Sequence, residues 1–143
     1  MKKIIPISDH EKKEWPSSVI VELQKPFCDE RGSIQPLLDI DMKSSVLISS
    51  EPGSIRANHY HKTDWHYCYV LYGEIKYYHR PHGNEELPEE VIIRNRQMFF
   101  TPPMIDHAMV FTKKTEFLTW SRNSRLQEIY ESDVCRISPI NPS

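Results

Sequence analysis

Ile55-Arg56-Ala57-Asn58-His59-Tyr60-His61, then Lys62-Thr63-Asp64-Trp65, then His66-Tyr67-Cys68-Tyr69-Val70-Leu71-Tyr72, is the stretch on which the reading of this chain turns. Two seven-residue runs without glycine or proline flank four residues of turn character, a pattern that predicts two strands joined by a tight connection. Side chains two apart in a strand share a face, so His59 and His61 can turn two imidazoles toward one point. His66 follows His61 by five residues and would fall on the opposite face of an unbroken strand. The connection over residues 62–65 resets the parity, after which His66, Cys68, Val70 and Tyr72 face inward and Tyr67, Tyr69 and Leu71 outward.

Working outward, further short runs are expected as strands over residues 19–23, 33–38, 45–49, 75–79, 91–93, 98–101, 107–112 and 116–120. Turn signals separate them: Glu30-Arg31-Gly32, Glu51-Pro52-Gly53, Gly73-Glu74, Pro81-His82-Gly83-Asn84 and Pro102-Pro103. Short strands at this spacing, with hardly any sustained 3.6-residue period, predict an all-β sandwich or barrel. Only residues 124–132, with Leu126, Ile129 and Tyr130 on one face, suggest a turn or two of helix. Residues 1–16 are polar and are expected as a loose arm, residues 17–137 as the single folded domain, and residues 138–143, with two prolines, as an irregular tail.

A length of 143 residues suits one domain with a real core. A charge of −2 argues against a nucleic-acid binder, and an anionic ligand would need a local basic cluster. No apolar run approaches the roughly 20 residues of a bilayer span, and the first residues lack the pattern of a signal peptide, so a cytoplasmic protein with no membrane partner is expected. Cys28, Cys68 and Cys135 form no Cys-x-x-Cys pair and read as reduced thiols.

Seven histidines is a high count for this length. His107 opens the alternating run His107, Met109, Phe111 and can sit at the inner end of a strand, as can His59, His61 and His66. His10, His79 and His82 lack such a pattern and are expected at the surface. Metal-free, the four inward histidines would be hydrogen-bonded residues of a polar cavity. Holding an ion, four neutral imidazoles suit zinc, iron, nickel, copper or manganese better than calcium or magnesium, which prefer oxygen.

Gly53, His59, His61, His66 and Gly73 keep the spacing of the first cupin motif, with His66 where that family usually has glutamate. The second motif is degraded but visible in Pro102 and His107. The chain thus resembles the cupins, which implies a single-domain jelly-roll barrel and a metal site of His59, His61, His66 and His107, holding one divalent transition metal (Zn, Fe, Ni or Mn). Phe27-Cys28-Asp29-Glu30-Arg31-Gly32 resembles a signature of the nucleotide-sugar cupins, the dTDP-4-keto-6-deoxyhexose 3,5-epimerases and the 3,4-ketoisomerases. Arg56-Ala57-Asn58-His59-Tyr60-His61-Lys62 resembles a ketoisomerase run, and residues 103–107 and 128–133 are similar in pattern.

That second resemblance implies an isomerase or epimerase acting on a keto-sugar or nucleotide-sugar. It assigns Arg31 and Arg56 to the pyrophosphate, with Arg31 reaching across a homodimer interface, and places Lys62 beside them as a substrate-binding residue. His59 and His61 become the acid and base that move a proton next to a ketone, and Tyr72 a possible proton donor. A metal at the same site would instead polarise a carbonyl or hydroxyl pair. Two other functions fit the same barrel: an iron-dependent dioxygenase, and a non-catalytic carbohydrate- or metal-binding cupin. Asp64 and Asp106 stand as acceptors for neighbouring imidazoles or as turn residues.

Overall fold

The computed structural model describes residues 4–141. Residues 1–3 of the expected arm and 142–143 of the expected tail lie outside them. In chain order the elements are α1 (Asp9–Lys13), β1 (Ile20–Val21), β2 (Phe27–Asp29), β3 (Gly32–Ile34), β4 (Ser44–Ser50), β5 (Ile55–His61), β6 (His66–Tyr72) and β7 (Glu74–Pro81). They continue as β8 (Glu89–Arg94), β9 (Met98–Thr101), β10 (Ile105–Phe111), β11 (Thr115–Ser121), α2 (Gln127–Asp133) and β12 (Val134–Arg136). The two strands predicted from residues 55–61 and 66–72 are present with those bounds. The expected all-β jelly roll with a short C-terminal helix is therefore what forms.

Two five-stranded antiparallel sheets face each other, one in the order β1-β9-β6-β11-β4 and the other β12-β5-β10-β7-β8. Among the described residues, strands β2 and β3 pair only with one another, in a separate hairpin. Alternation makes each inner row change character along its strand. His66, Cys68 and Val70 run from polar to apolar on β6; His107, Met109 and Phe111 on β10; Ser121, Thr119 and Phe117 on β11; Thr101 and Phe99 on β9. Registers such as His66 opposite Thr101 and Ser121, and His107 opposite His59, align the polar ends. The apolar ends interlock as a core that includes Val70, Ile75, Tyr77, Ile93, Phe99, Phe111 and Phe117. One end of the barrel is thus closed by packing and the other is a lined cavity.

Gly73, which turns β6 into β7, has φ +114°, and a Cβ there would collide with Thr115 Oγ1 and its backbone. Only glycine fits both demands.

Within the arm expected over residues 1–16, Asp9–Lys13 form a helix. Ser8 and Glu11 cap α1 reciprocally, each side chain accepting the other's backbone N–H at 3.1 Å. Glu11 also accepts from Trp65 Nε1 at 2.6 Å and from Arg122, while Trp15 packs on Trp65 and Phe100. The polar composition of this stretch supplies partners for the barrel wall. Within the expected tail, Ile140 N–H donates to Asn58 Oδ1 at 3.0 Å, and Ile140 packs beside Tyr78 and Ala108. No helix among the described residues is long and apolar enough to cross a membrane.

Candidate active site

The cavity at the polar end has a volume of about 350 Å³. Its lining includes His59, His61, His66 and His107, with Thr101, Thr119 and Ser121 between them and Val46, Ile48, Met109 and Phe117 on the apolar side. Three arginines, Arg56, Arg125 and Arg136, also line it, and no carboxylate does among the described residues. All three arginines are exposed, whereas His61 and His107 are buried, so the cations ring the mouth and the imidazoles lie deeper.

A bulge in β5 brings Arg56 and His59 to the same face. Three residues apart, they would point oppositely in a regular strand. Ala57 and Asn58 take positive φ, 71° and 54°, and the pairing with β10 jumps from His59–His107 to Ala57–Ala108. Left-handed backbone costs a non-glycine residue roughly 1–2 kcal/mol. Asn58 offsets that cost through its side chain, which bonds Ile140 N–H and Asn141 Oδ1 of the tail.

The four rings form one cluster, with centroids 4.7 Å apart for His59 and His61, 4.8 Å for His59 and His107, and 4.9 Å for His61 and His66. Their second nitrogens distinguish them. His61 Nδ1 donates to Asp133 Oδ2 at 3.2 Å, and His107 Nδ1 donates to the Ile105 carbonyl at 3.0 Å. Each keeps a bare Nε2. His66 is engaged at both nitrogens: Nε2 faces Asp64 Oδ2 at 3.2 Å, and Nδ1 accepts from Thr101 Oγ1 at 2.9 Å. His59 has no side-chain hydrogen bond among the described residues.

Burial and the neighbouring imidazoles keep His59, His61 and His107 neutral. Burial, reinforced by His107, His61 and His66, pushes His59 down to about 2. Burial brings His107 down to about 3 against the pull of the Ile105 carbonyl. His61 is also lowered by burial, against its hydrogen bond to Asp133. Burial would raise Asp133, but donors from His61, Thr63 and Asp64 outweigh it and hold the carboxyl at about 2. An ionised Asp133 fixes the proton of His61 on Nδ1 and leaves a neutral lone pair on Nε2.

No three of the four histidines bring ligand nitrogens within 4.8 Å of one another among the described residues. Nitrogens bound to one zinc ion at about 2.0–2.1 Å lie about 3.4 Å from one another. Among the described residues, the only group of three or more such ligand atoms within 4.8 Å of each other belongs to His61, Asp64 and Asp133, and those atoms are held by protein hydrogen bonds. His66, which completes the expected tetrad, has no lone pair to spare. Its partner Asp64 also accepts from Asn123 N–H at 2.9 Å, which makes the His66 corner part of the barrel's hydrogen-bonded frame.

Other expected site residues lie elsewhere. Tyr72 is 41% exposed and outside the cavity, a correction to its expected inward direction. Phe117 pairs with Val70 but Glu116 with Tyr72, so Leu71 is an extra residue that reverses the alternation. Arg31, on the turn between β2 and β3, pairs with Asp29 and is exposed, and Lys62 donates to the Ser132 carbonyl. Neither lines this chain's cavity. His79 is half-buried rather than at the surface, opposite His107 on the inner face, because β7 is in register there. Of the two aspartates, Asp64 serves His66 and Asp106 accepts from His82 Nδ1 at 2.8 Å.

Sequence reading missed Asp133, Tyr130, Arg125 and Arg136, all from the segment around α2. Tyr130 lies with its ring 5.8 Å from that of His61, and Arg125 sits 3.9 Å over the Tyr130 ring. The helical face carrying Tyr130 was legible; its docking over the mouth of the barrel was not.

No protein-family model matches this sequence, and no curated protein matches it. Solved structures do share its fold. A double-mutant QdtA 3,4-ketoisomerase from Thermoanaerobacterium thermosaccharolyticum, in complex with TDP, is 22% identical with a TM-score of 0.63, over 86% of this chain and 90% of that one. A 3,4-ketoisomerase from Helicobacter canadensis is 16% identical with a TM-score of 0.68, over 85% and 91%. A dTDP-4-dehydrorhamnose 3,5-epimerase from Sulfolobus tokodaii is 16% identical with a TM-score of 0.64, over 81% and 74%. At these identities the likeness is one of fold.

Proposed function

We propose that this protein isomerises or epimerises a nucleotide-linked keto-sugar by proton transfer between histidines and carbon, without a resident metal. The observation that carries this reading is His61: a buried, neutral imidazole whose Nδ1–H is fixed by Asp133, with its Nε2 lone pair free beside His59 and His107. A base next to a ketone removes a proton from the adjacent carbon and leaves an enediolate. Returning the proton to the neighbouring carbon, while the hydroxyl proton of the first carbon passes to the former carbonyl oxygen, moves the carbonyl; returning it to the opposite face of the same carbon inverts the centre. His61 is the base, and His59, whose ring is in contact with it, is the partner that carries the proton to the second position. Neutral imidazole suits the first step, because the proton moves onto an uncharged lone pair.

The fold supports the substrate class, since the similar structures are those of sugar 3,4-ketoisomerases and a 3,5-epimerase, one of them in complex with TDP. The arginine-lined mouth is suited to a diphosphate. A homodimer belongs to the same reading. The β2–β3 hairpin pairs only with itself and exposes Phe27 and Ile34 at 60% and 66%, and a partner's cavity would give its Arg31 the role that the resemblance implies. Light scattering at working concentration is expected to give twice the chain mass.

The test is solvent exchange. Chelator-treated protein, with metal content checked by elemental analysis, is incubated in D₂O with a panel of TDP-linked 4-keto sugars. Deuterium entering next to the ketone with less than about a tenth of an equivalent of metal per chain is the expected result. Activity that returns only with stoichiometric metal would sink it.

A further inference from the structure

We infer that the segment bracketing α2 is an anion clamp, in which Arg125 and Arg136 of this chain grip a diphosphate together with Arg56. The inference rests on the reading above for the identity of the ligand, but the clamp has its own physical basis. Three guanidinium groups stand at the cavity mouth, whose lining holds no carboxylate among the described residues; Arg136 is paired with Glu131 outside the lining, while Arg56 and Arg125 have no carboxylate partner among the described residues. Two of the three are held in position. Arg56 Nε donates to Ser50 Oγ and its Nη2 to the Ser49 carbonyl, both at 2.8 Å. Arg136 meets Glu131 with one hydrogen bond from each terminal nitrogen, at 3.0 and 2.9 Å. That leaves most of its donor fork available, since a guanidinium has five N–H groups.

Arg125 differs. Among the described residues it makes no ion pair and no side-chain hydrogen bond, and its guanidinium rests on the Tyr130 ring. Such a contact on an exposed side chain is weak compared with a bidentate bond to a phosphate. An anion entering the mouth therefore draws Arg125 off the ring and uncovers Tyr130, which lines the cavity beside His61.

The placement couples binding to chemistry. Arg125 precedes α2 and Arg136 lies in β12 directly after it, while Tyr130 and Asp133 are on the helix itself. An anion held from both sides fixes the helix whose Asp133 orients His61. Binding energy from the non-reacting diphosphate is thereby used where the proton moves, so the same sugar without its diphosphate should lose turnover as well as affinity.

The experiment is calorimetric titration of the full chain with inorganic pyrophosphate and, separately, with TDP, at low and high salt. Wild type, Arg125→Ala, Arg125→Lys and Arg31→Ala are compared, with thermal melts confirming that the exposed substitutions leave the fold intact. Salt-sensitive binding of pyrophosphate by wild type, weakened at least about tenfold in Arg125→Ala and only partly restored by Arg125→Lys, is expected. Pyrophosphate affinity in Arg125→Ala within about twofold of wild type, loss confined to Arg31→Ala, or no binding by wild type would each overturn the clamp. Pyrophosphate held through Arg125 with no keto-sugar turned over would leave the clamp standing and remove the isomerase reading. Turnover with unchanged pyrophosphate affinity in Arg125→Ala would do the reverse.

Discussion

The end of β5 and the start of β6 each place a histidine in the cavity and a buried aspartate behind it, yet the two corners differ in what they can do. His61 spends one nitrogen on Asp133 and keeps the other for the cavity. His66 spends both, on Asp64 and Thr101. The same residue type with the same kind of partner keeps a free lone pair in one corner and none in the other. The difference lies in the neighbouring strand: β9 brings Thr101 opposite His66, and no hydroxyl is bonded to His61 among the described residues. A histidine count thus says little about a metal or a base until the destination of each ring's second nitrogen is known.

The comparison breaks most readily at His61. His61→Asn is expected to reduce turnover of the keto-sugar by about 10³- to 10⁴-fold in steady-state assays, the upper part of the range for removing a general base. A fall of less than tenfold, on that same scale, would make the two corners equivalent.

Asp133→Asn comes next, with a loss of about 10²-fold in kcat as the tautomer of His61 is released. Asp133 also accepts from Thr63 N–H and Oγ1 and from Asp64 N–H. Asp133→Ala strands those buried donors and is expected to cost about 3–5 kcal/mol in urea unfolding, so the asparagine variant is the cleaner probe of chemistry.

Acid sharpens the contrast through stability. His59, His61 and His107 are held below the ordinary imidazole value of about 6.5, so the unfolded chain binds protons first as pH falls through that value. The stabilisation is complete above about pH 6.5 and is lost progressively toward the folded values. Asp133, at about 2 when folded, adds a second loss below the ordinary carboxylate range. Thermal melts from neutral pH to pH 4, a window set by those values, are expected to show a steady fall in Tm that persists in His66→Gln. A flat profile would contradict the burial of neutral rings.

Smaller effects mark the structural corner. His66→Gln keeps a donor and an acceptor for Asp64 and Thr101 and should lower kcat by less than about tenfold. Tyr72→Phe should change it by less than about twofold, because the phenol lies outside the cavity. A large loss there would mean that a partner subunit brings Tyr72 to a site.

Much of the fold was legible because its signals are local. Alternation along residues 55–61 and 66–72, a turn between them and a glycine at position 73 specify two strands, the turns that end them and an inward face from covalent geometry and sterics. Inverted parity at Leu71 and the bulge at Ala57 and Asn58 were not legible, since each depends on which residue of a neighbouring strand is paired. Asp133 was missed for a related reason: 72 residues separate it from His61, and nothing in its own neighbourhood marks it as an imidazole's partner.

By itself the sequence determined the all-β barrel and brought His59, His61, His66 and His107 to one cavity, because side-chain direction in a strand follows from chain position. Only the tertiary structure decided which imidazole keeps a free lone pair, which tyrosine reaches the cavity and which arginines ring its mouth. Those outcomes depend on hydrogen bonds and contacts between segments far apart in the chain, and a long-range partner leaves no periodic trace in either segment.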